Sequence, residues 1–396
     1  MWKSQDFGIN PITCHAWNKT STQLALSLNN NEVYIYQKGS SDSYLDWTLI
    51  DVLDQHNLRV TGIDWAPETN RIVTCAADRN AYVWTQTEDG KWKPTLVFLR
   101  INRAATCVKW SPKENKFAVG SGARLISICY FESGNDWWVS KHIKKPIRST
   151  VTCLDWHPNN YLLAAGFADF KVRVYSALAK EIEGSDIPPS KWANKTTLGT
   201  MVAEFSNSPF GGGWIRGVSF SPDGNKLAWV GQDSSICLVD ITKGLQVQKV
   251  KTIHLPFLNL IWVGPNSIVT AGHGCCPFLY EQNTNGQFQY KYKLDVSKKK
   301  QGERLSAMKK FQSLDRQARV EACDIVLNTV HQNAITCLQI YEGKRGNTVK
   351  LSSTGIDGQL VIWDLKEIAQ HIANHGGGEE ENDIMDKAIT FGENDN

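Results

Sequence analysis

Val60-Thr-Gly-Ile-Asp-Trp-Ala-Pro-Glu-Thr-Asn-Arg-Ile-Val-Thr-Cys-Ala-Ala-Asp-Arg-Asn-Ala-Tyr-Val-Trp84 contains three short β-rich runs separated by two turn-forming stretches. Val60–Trp65, Arg71–Cys75 and Ala81–Thr85 read as strands, with Ala-Pro-Glu-Thr-Asn and Asp-Arg-Asn as the turns between them. The opening Thr61-Gly-Ile-Asp-Trp65 returns as Thr13-Cys-His-Ala-Trp17, Thr106-Cys-Val-Lys-Trp110 and Thr152-Cys-Leu-Asp-Trp156. Looser copies are Arg216-Gly-Val-Ser-Phe220, Leu258-Asn-Leu-Ile-Trp262 and Thr336-Cys-Leu-Gln-Ile340, which makes seven. The first four anchors stand 48, 45 and 46 residues apart. A fixed period of that size marks a chain built from stacked supersecondary units.

A second spacing runs inside each copy. Thirteen residues after the anchor comes Asp78, Asp169 or Asp233, with Asn30 in the first copy. Six residues further lies an apolar strand position: Tyr36, Trp84, Tyr175 or Val239. The seventh copy has a longer loop, Tyr341-Glu-Gly-Lys-Arg-Gly346, yet Asp357 still precedes Trp363 by six. A carboxylate in a tight turn accepts backbone N–H bonds. His56 and His331 lie nine residues before their anchors and His254 eight, placed to bridge to the turn Asp of the same blade. His56, Asp78, Trp84, Asp169, Asp233, His331, Asp357 and Trp363 therefore read as a structural blade network. The fold class is all-β: a seven-bladed WD40 β-propeller.

Outer fourth strands follow at Trp47–Val52, Trp92–Leu99, Trp137–Ile143, Gln246–Thr252 and Phe288–Leu294. After Trp363 the chain turns polar and helix-like (Lys366–Ile372), so the last blade lacks its own. Trp2–Ile9 is expected to supply it, because closing the ring protects an open strand edge. The expected organisation is a closing strand in 1–10, the propeller in 11–365, and a helix followed by an acidic, disordered tail in 366–396.

Composition narrows the function. Fifteen Trp, thirty Gly and 41% apolar residues suit a folded chain of 396 residues. A net charge of +3 does not single out nucleic acid or membrane. The longest apolar run, Phe257–Val263, is far too short to span a bilayer. Met1-Trp-Lys-Ser-Gln-Asp6 does not read as a signal peptide. A cytosolic setting is expected, with the ten Cys reduced.

The Cys and His residues read as structural. Cys14, Cys107, Cys153 and Cys337 share the position three before the anchor, where copies two and five carry Gly. A small side chain in a crowded strand explains this, since free Cys is commonly buried. Cys275-Cys276 beside His273 lacks a second pair at zinc-ligand spacing. No nucleophile elbow, phosphate loop or His-Glu-x-x-His occurs. No catalytic residue, metal or cofactor is therefore expected.

The insertions are more informative. Ala177–Gly211 reads as a long surface excursion. Val296–Val330 is basic, with eight Lys or Arg in 297–319. Within it Met308, Phe311, Leu314 and Ala318 fall on one helical face, and Ser306 suits the cap. Such a helix either folds back on the rim or offers Met308, Phe311 and Leu314 to a partner, with Lys309, Lys310 and Arg316 alongside. The basic surround favours an acidic partner. A second candidate interface is Trp137 and Trp138 with Lys144, Lys145 and Arg148. One Trp is expected to pack between blades and the other to be exposed.

Pro11-Ile-Thr-Cys-His-Ala-Trp-Asn18, Asp78-Arg-Asn-Ala-Tyr-Val-Trp84, Arg100-Ile-Asn-Arg-Ala-Ala105, His142-Ile-Lys-Lys-Pro-Ile-Arg-Ser-Thr150 and Phe311-Gln-Ser-Leu-Asp315 go beyond what a propeller demands. Together they resemble the WD40 subunit (subunit 1) of the actin-related protein 2/3 complex, over residues 11 to about 365. The resemblance implies a non-catalytic member of an assembly that nucleates actin branches at the cytoplasmic cortex. Its implied partners are the other subunits, the actin filament and the acidic tails of nucleation-promoting factors, with no nucleic acid and no membrane insertion. It implies that the inserted helix meets actin or those factors through Met308, Phe311 and Leu314. The Gly/Glu-rich tail and Ala177–Gly211 depart from the family pattern. A generic WD40 adaptor, such as a ubiquitin-ligase substrate receptor, and an RNA-binding propeller remain as alternatives.

Overall fold

A computed structural model describes residues 1–8, 10–39, 46–184, 190–192, 197–206, 212–284, 286–296 and 327–375. The described strands form seven four-stranded antiparallel sheets. The innermost strands are Cys14–Trp17, Val60–Ala66, Ala105–Trp110, Val151–Trp156, Ile215–Phe220, Phe257–Trp262 and Ile335–Lys344. Each ends at or just past a repeat anchor. Blade two continues with Arg71–Ala76, Ala81–Gln86 and Trp92–Val97, close to the strands read from its sequence. Blade seven takes its outer strand from the other end of the chain: Trp2–Asp6 runs antiparallel to Gln359–Asp364, with Trp2 opposite Trp363 and Asp6 opposite Gln359.

The core is not central. It is split into seven apolar clusters, one at each seam between neighbouring blades. The anchors Trp65, Trp110, Trp156, Phe220 and Trp262 each enter the seam with the preceding blade. Trp229, Trp262 and Trp363 are fully buried. Each such ring contributes about 4–6 kcal/mol of gross transfer free energy.

The anchor Thr explains itself at these seams. Thr61 donates to the carbonyl of Ala105 at 2.9 Å, Thr106 to Val151 at 2.6 Å, and Thr336 to Ile12 at 2.6 Å. Thr152 does the same toward Ile215. Where the sixth copy has Leu258, Asn259 substitutes by donating to the Thr336 carbonyl at 2.8 Å. The Cys/Gly alternation has a steric cause. Cys107 lies opposite Gly120 and Cys153 opposite Gly166. A Cβ on either glycine would sit 2.7 or 2.5 Å from the facing sulfur. Blade two inverts the pair, with Gly62 opposite Cys75. In blades two, three and four the facing pair therefore has room for one thiol.

The seam between blades seven and one holds a buried imidazole. His15 Nδ1 lies 2.9 Å from Thr354 Oγ1 and its Nε2 lies 2.8 Å from Ser352 Oγ. Burial, with nearby Lys109 adding to it, pushes this imidazole down to about 3. The unfolded chain protonates it near 6.5. Below that pH the unfolded state therefore holds a proton that the folded state does not. The stability from this site is complete above about pH 6.5 and is lost as pH falls toward 3, by about 1.4 kcal/mol per pH unit. Urea midpoints at pH 7.5 and 5.5 measure the slope, and His15→Gln should flatten it.

The described residues of 177–211 depart from the expected surface excursion. The range includes the outer strand of blade four, Met201–Ser206, and its described residues 177–184, 190–192 and 197–200 lie between that strand and the third strand, Lys171–Ser176. Ala177, Leu178, Ala179 and Trp192 are buried. A single-turn helix, α1 (Lys180–Glu183), follows. Glu183 pairs with the fully buried Lys116 and accepts from Asn160 Nδ2 at 2.6 Å. Lys116 also donates to the Ala177 carbonyl at 3.0 Å. A buried ammonium needs both partners, so the described part of the insertion is pinned inward. A second helix, α2 (Leu365–His375), follows blade seven and buries Ile368 in the seam with blade six.

Candidate interaction surface

The antiparallel order puts two kinds of loop on one face, here the upper: those joining blades, and those joining second to third strands. The turn Asp residues sit there. In blade two, His56 Nδ1 lies 3.0 Å from Asp78 Oδ2, His56 Nε2 lies 2.8 Å from Thr74 Oγ1, and Trp84 Nε1 donates to the same hydroxyl at 3.0 Å. Blade seven repeats it: His331 Nδ1 to Asp357 at 3.0 Å, His331 Nε2 to Ser353 Oγ at 2.7 Å, and Trp363 Nε1 to Ser353 at 2.8 Å. Burial pushes the Asp78 and Asp357 carboxyls up. Hydrogen bonds from the imidazoles and from turn N–H groups outweigh this and hold both below the usual range. Thr74 and Ser353, the hydroxyls in the middle, stand outside the His, Asp and Trp positions of the repeat. Their strand position, four before the turn Asp, is the signal that finds them.

The other expected members behave differently. Asp169 has no His partner; Arg173 donates to it at 2.8 Å and also reaches Glu204. Asp233 pairs with Lys249 at 2.8 Å. His254 stacks on Phe278 with centroids 4.1 Å apart, because the sixth copy carries Cys275 where the turn Asp would stand. Histidine bridges thus occur where both residues are present, and blades four and five use cation–carboxylate pairs instead.

Three upper-face loops of blades two to four share one character. Phe98-Leu-Arg-Ile-Asn-Arg-Ala104, Gly122-Ala-Arg-Leu125 and Lys144-Lys-Pro-Ile-Arg-Ser-Thr150 hold Arg100, Arg103, Arg124, Lys144, Lys145 and Arg148 and no carboxylate. All six cations are exposed. The loops are fixed from below. Ile101 and Ile147 are buried in the seams on either side of blade three. The Leu99 carbonyl lies 2.8 Å from His142 Nε2, and Gly122 N–H donates to the Ala104 carbonyl at 2.9 Å. Arg103, Arg124, Lys144, Lys145 and Arg148 make no ion pair with any described residue. Arg79, exposed in the turn of blade two, adds a further cation. Phe98 at 63% and Leu58 at 55% exposure give this face apolar footholds.

Trp137 lies apart from Lys144, Lys145 and Arg148. Trp137 begins the outer strand Trp137–Ile143 at the lower end, whereas the cations follow its upper end. Seven residues at about 3.3 Å each separate them by roughly 20 Å. Trp137 is 57% exposed; Trp138 is buried against Trp110, Phe117 and Phe131. Met308, Lys309, Lys310, Phe311, Leu314 and Arg316 lie outside the described residues.

The innermost strands enclose an axial channel of about 810 Å³, lined by Cys14, Cys107, Cys153 and Cys337 among others. Burial pushes the Cys14 and Cys153 thiols up to about 12 and Cys107 to about 11. They are protonated and weakly nucleophilic at neutral pH. Among the described residues no disulfide is present and no group of three metal-ligating side chains occurs. The lower mouth is crossed by the inner hairpin of blade seven, Ile335–Lys344 and Asn347–Gly355. At its tip Arg345 forms a two-pronged pair with Asp155 of blade four, both contacts at 2.8 Å. Asp155 also accepts the Phe220 N–H of blade five at 2.7 Å. One carboxylate therefore ties three blades.

Seven closed blades, histidine-centred networks that recur as folding elements, and a charged face of fixed loops define a WD40-repeat docking propeller. The WD domain, G-beta repeat family matches residues 47–85, 140–176 and 200–240. The chain is 54% identical over 92% of its length to actin-related protein 2/3 complex subunit 1A-B of Xenopus laevis, covering 97% of that protein. It is 41% identical to actin-related protein 2/3 complex subunit 1 of Schizosaccharomyces pombe over 89% of this chain and 96% of that one. It is 38% identical to subunit 1B of Arabidopsis thaliana over 92% and 96%. The chain belongs to the actin-related protein 2/3 complex subunit 1 family.

Proposed function

We propose that this chain is a non-catalytic subunit of an actin-related protein 2/3 complex in the cytoplasmic actin cytoskeleton, supporting filament nucleation and branching at the cortex. The observation that carries the reading is family membership over nearly the whole chain joined to three upper-face loops of blades two to four that hold six exposed cations and no carboxylate. The propeller is the rigid body on which other subunits dock. Its basic face and the basic segment 296–330 take acidic partners, among them the tails of nucleation-promoting factors. Complementary charge raises encounter rates and selects partners more than it adds affinity, so apolar anchors are needed for hold. Met308, Phe311 and Leu314 are the anchors offered to actin or to those factors, with Lys309, Lys310 and Arg316 steering. Nucleotide hydrolysis belongs to other subunits.

The test is Met308→Ala/Phe311→Ala/Leu314→Ala in a reconstituted complex. Assembly should be intact, while branch formation should need about tenfold more nucleation-promoting factor or actin, as expected when anchor side chains are truncated. Unchanged assembly together with unchanged branching would remove the segment from the mechanism.

A further inference from the structure

The basic upper face has an occupant of matching chemistry within this same chain. Residues 376–396, Gly-Gly-Gly-Glu-Glu-Glu-Asn-Asp-Ile-Met-Asp-Lys-Ala-Ile-Thr-Phe-Gly-Glu-Asn-Asp-Asn, hold seven carboxylates (Glu379, Glu380, Glu381, Asp383, Asp386, Glu393 and Asp395) against Lys387 alone. Ile384, Met385, Ile389 and Phe391 are interleaved with them. The face presents the complementary set: exposed Arg103, Arg124, Lys144, Lys145 and Arg148 without ion-pair partners among the described residues, and exposed Phe98. We propose that residues 376–396 dock on the basic upper face of blades two to four and compete there with acidic partners from other chains.

Reach allows it. The segment starts directly after α2, whose Ile368 is anchored in the seam between blades six and seven. Twenty-one residues extend to about 70 Å at most. A compact chain of this length has a radius of gyration of about 21 Å, so the segment can span the whole body. Gly376-Gly-Gly378 places no side chain in the way of the turn needed at its start. Tethering gives the carboxylates an effective concentration of order 1 mM at the face, without any need for high intrinsic affinity. A tail whose intrinsic dissociation constant is near 100 μM then weakens an external acidic peptide about tenfold.

The inference rests on the reading of this face as an acidic-partner surface, and the experiment separates the two. The probe is a fluorescent synthetic peptide of residues 376–396, titrated against reconstituted complexes carrying the full chain, a chain ending at His375, or that truncated chain with Arg103→Glu/Arg124→Glu/Lys145→Glu. Binding about tenfold tighter to the truncated chain than to the full chain, weakened by salt and abolished by the three reversals, is the expected result. Equal affinity for full and truncated chains, with the reversals still abolishing binding, overturns docking of the tail and leaves the face to acidic partners of other chains. No binding to the truncated chain, or binding indifferent to the reversals, overturns both. A full-length chain with Glu379, Glu380, Glu381, Asp383 and Asp386 changed to Gln or Asn should match the truncated one; if it behaves as unmodified, charge is not what docks the tail.

Discussion

Asp155→Ala should destabilise the purified chain by about 3 kcal/mol in urea, a large share of a typical 5–15 kcal/mol total. The expectation follows from what the carboxylate holds. Its side chain is only 8% exposed and it meets both terminal nitrogens of Arg345 as well as the Phe220 N–H. Removal leaves the Phe220 donor buried without a partner, at a cost of about 1–3 kcal/mol, and frees the hairpin tip. Arg345 itself is a third open to channel water, so its unpaired charge adds less than a fully buried one would. The hairpin is also seated on blade six, through Gly346 N–H to the Trp262 carbonyl at 3.2 Å and Thr348 N–H to Val263 at 3.0 Å. Those contacts persist in the variant and limit the loss. A double-mutant cycle with Arg345→Ala isolates the pair. A coupling energy near zero would show that the hairpin does not clasp the ring.

Deleting residues 1–6 should cost more, roughly 5 kcal/mol or beyond. Five residues leave the ladder with Gln359–Trp363, each hydrogen bond contributing about 1 kcal/mol. Met1 and Trp2 leave the seam cluster around Trp363. The N-terminal ammonium also loses its pairing with Glu367, an exposed contact worth little. The larger consequence is an unpaired edge on blade seven, a template for association between chains. A melt about 6 °C lower, with aggregation, is expected, given about 1 °C per kcal/mol for a chain this long. An unchanged melting temperature would refute ring closure by this strand.

The repeat was legible because blade geometry is local. An anchor, a turn carboxylate and a strand aromatic at spacings of thirteen and six follow from strand and turn lengths alone. Contacts that cross the ring leave no such trace. Asp155 occupies the place before an anchor, like Lys109 or Gln339, and nothing adjacent to it announces Arg345, 190 residues away. Nothing adjacent to Lys116 marks it as buried, and its partner Glu183 lies 67 residues away. Trp137 and Lys144 are neighbours in sequence, but a strand carries them to opposite faces. The basic face was half visible: Lys144, Lys145 and Arg148 form a run, whereas Arg103 and Arg124 are single letters in separate loops that only the ring assembles.

The strand Trp2–Asp6 sets a schedule for biosynthesis. It leaves the ribosome long before its partner Gln359–Asp364. At 5–20 residues per second the two are about 20 to 70 s apart. Throughout that interval a short strand with Trp2 and unsatisfied backbone groups is open to solvent and to other nascent chains. Blades one to six can form as they emerge, because each seam needs only its neighbours. The ring, however, closes only when both of these strands have been made, so a chain stopped before Gln359 cannot close it.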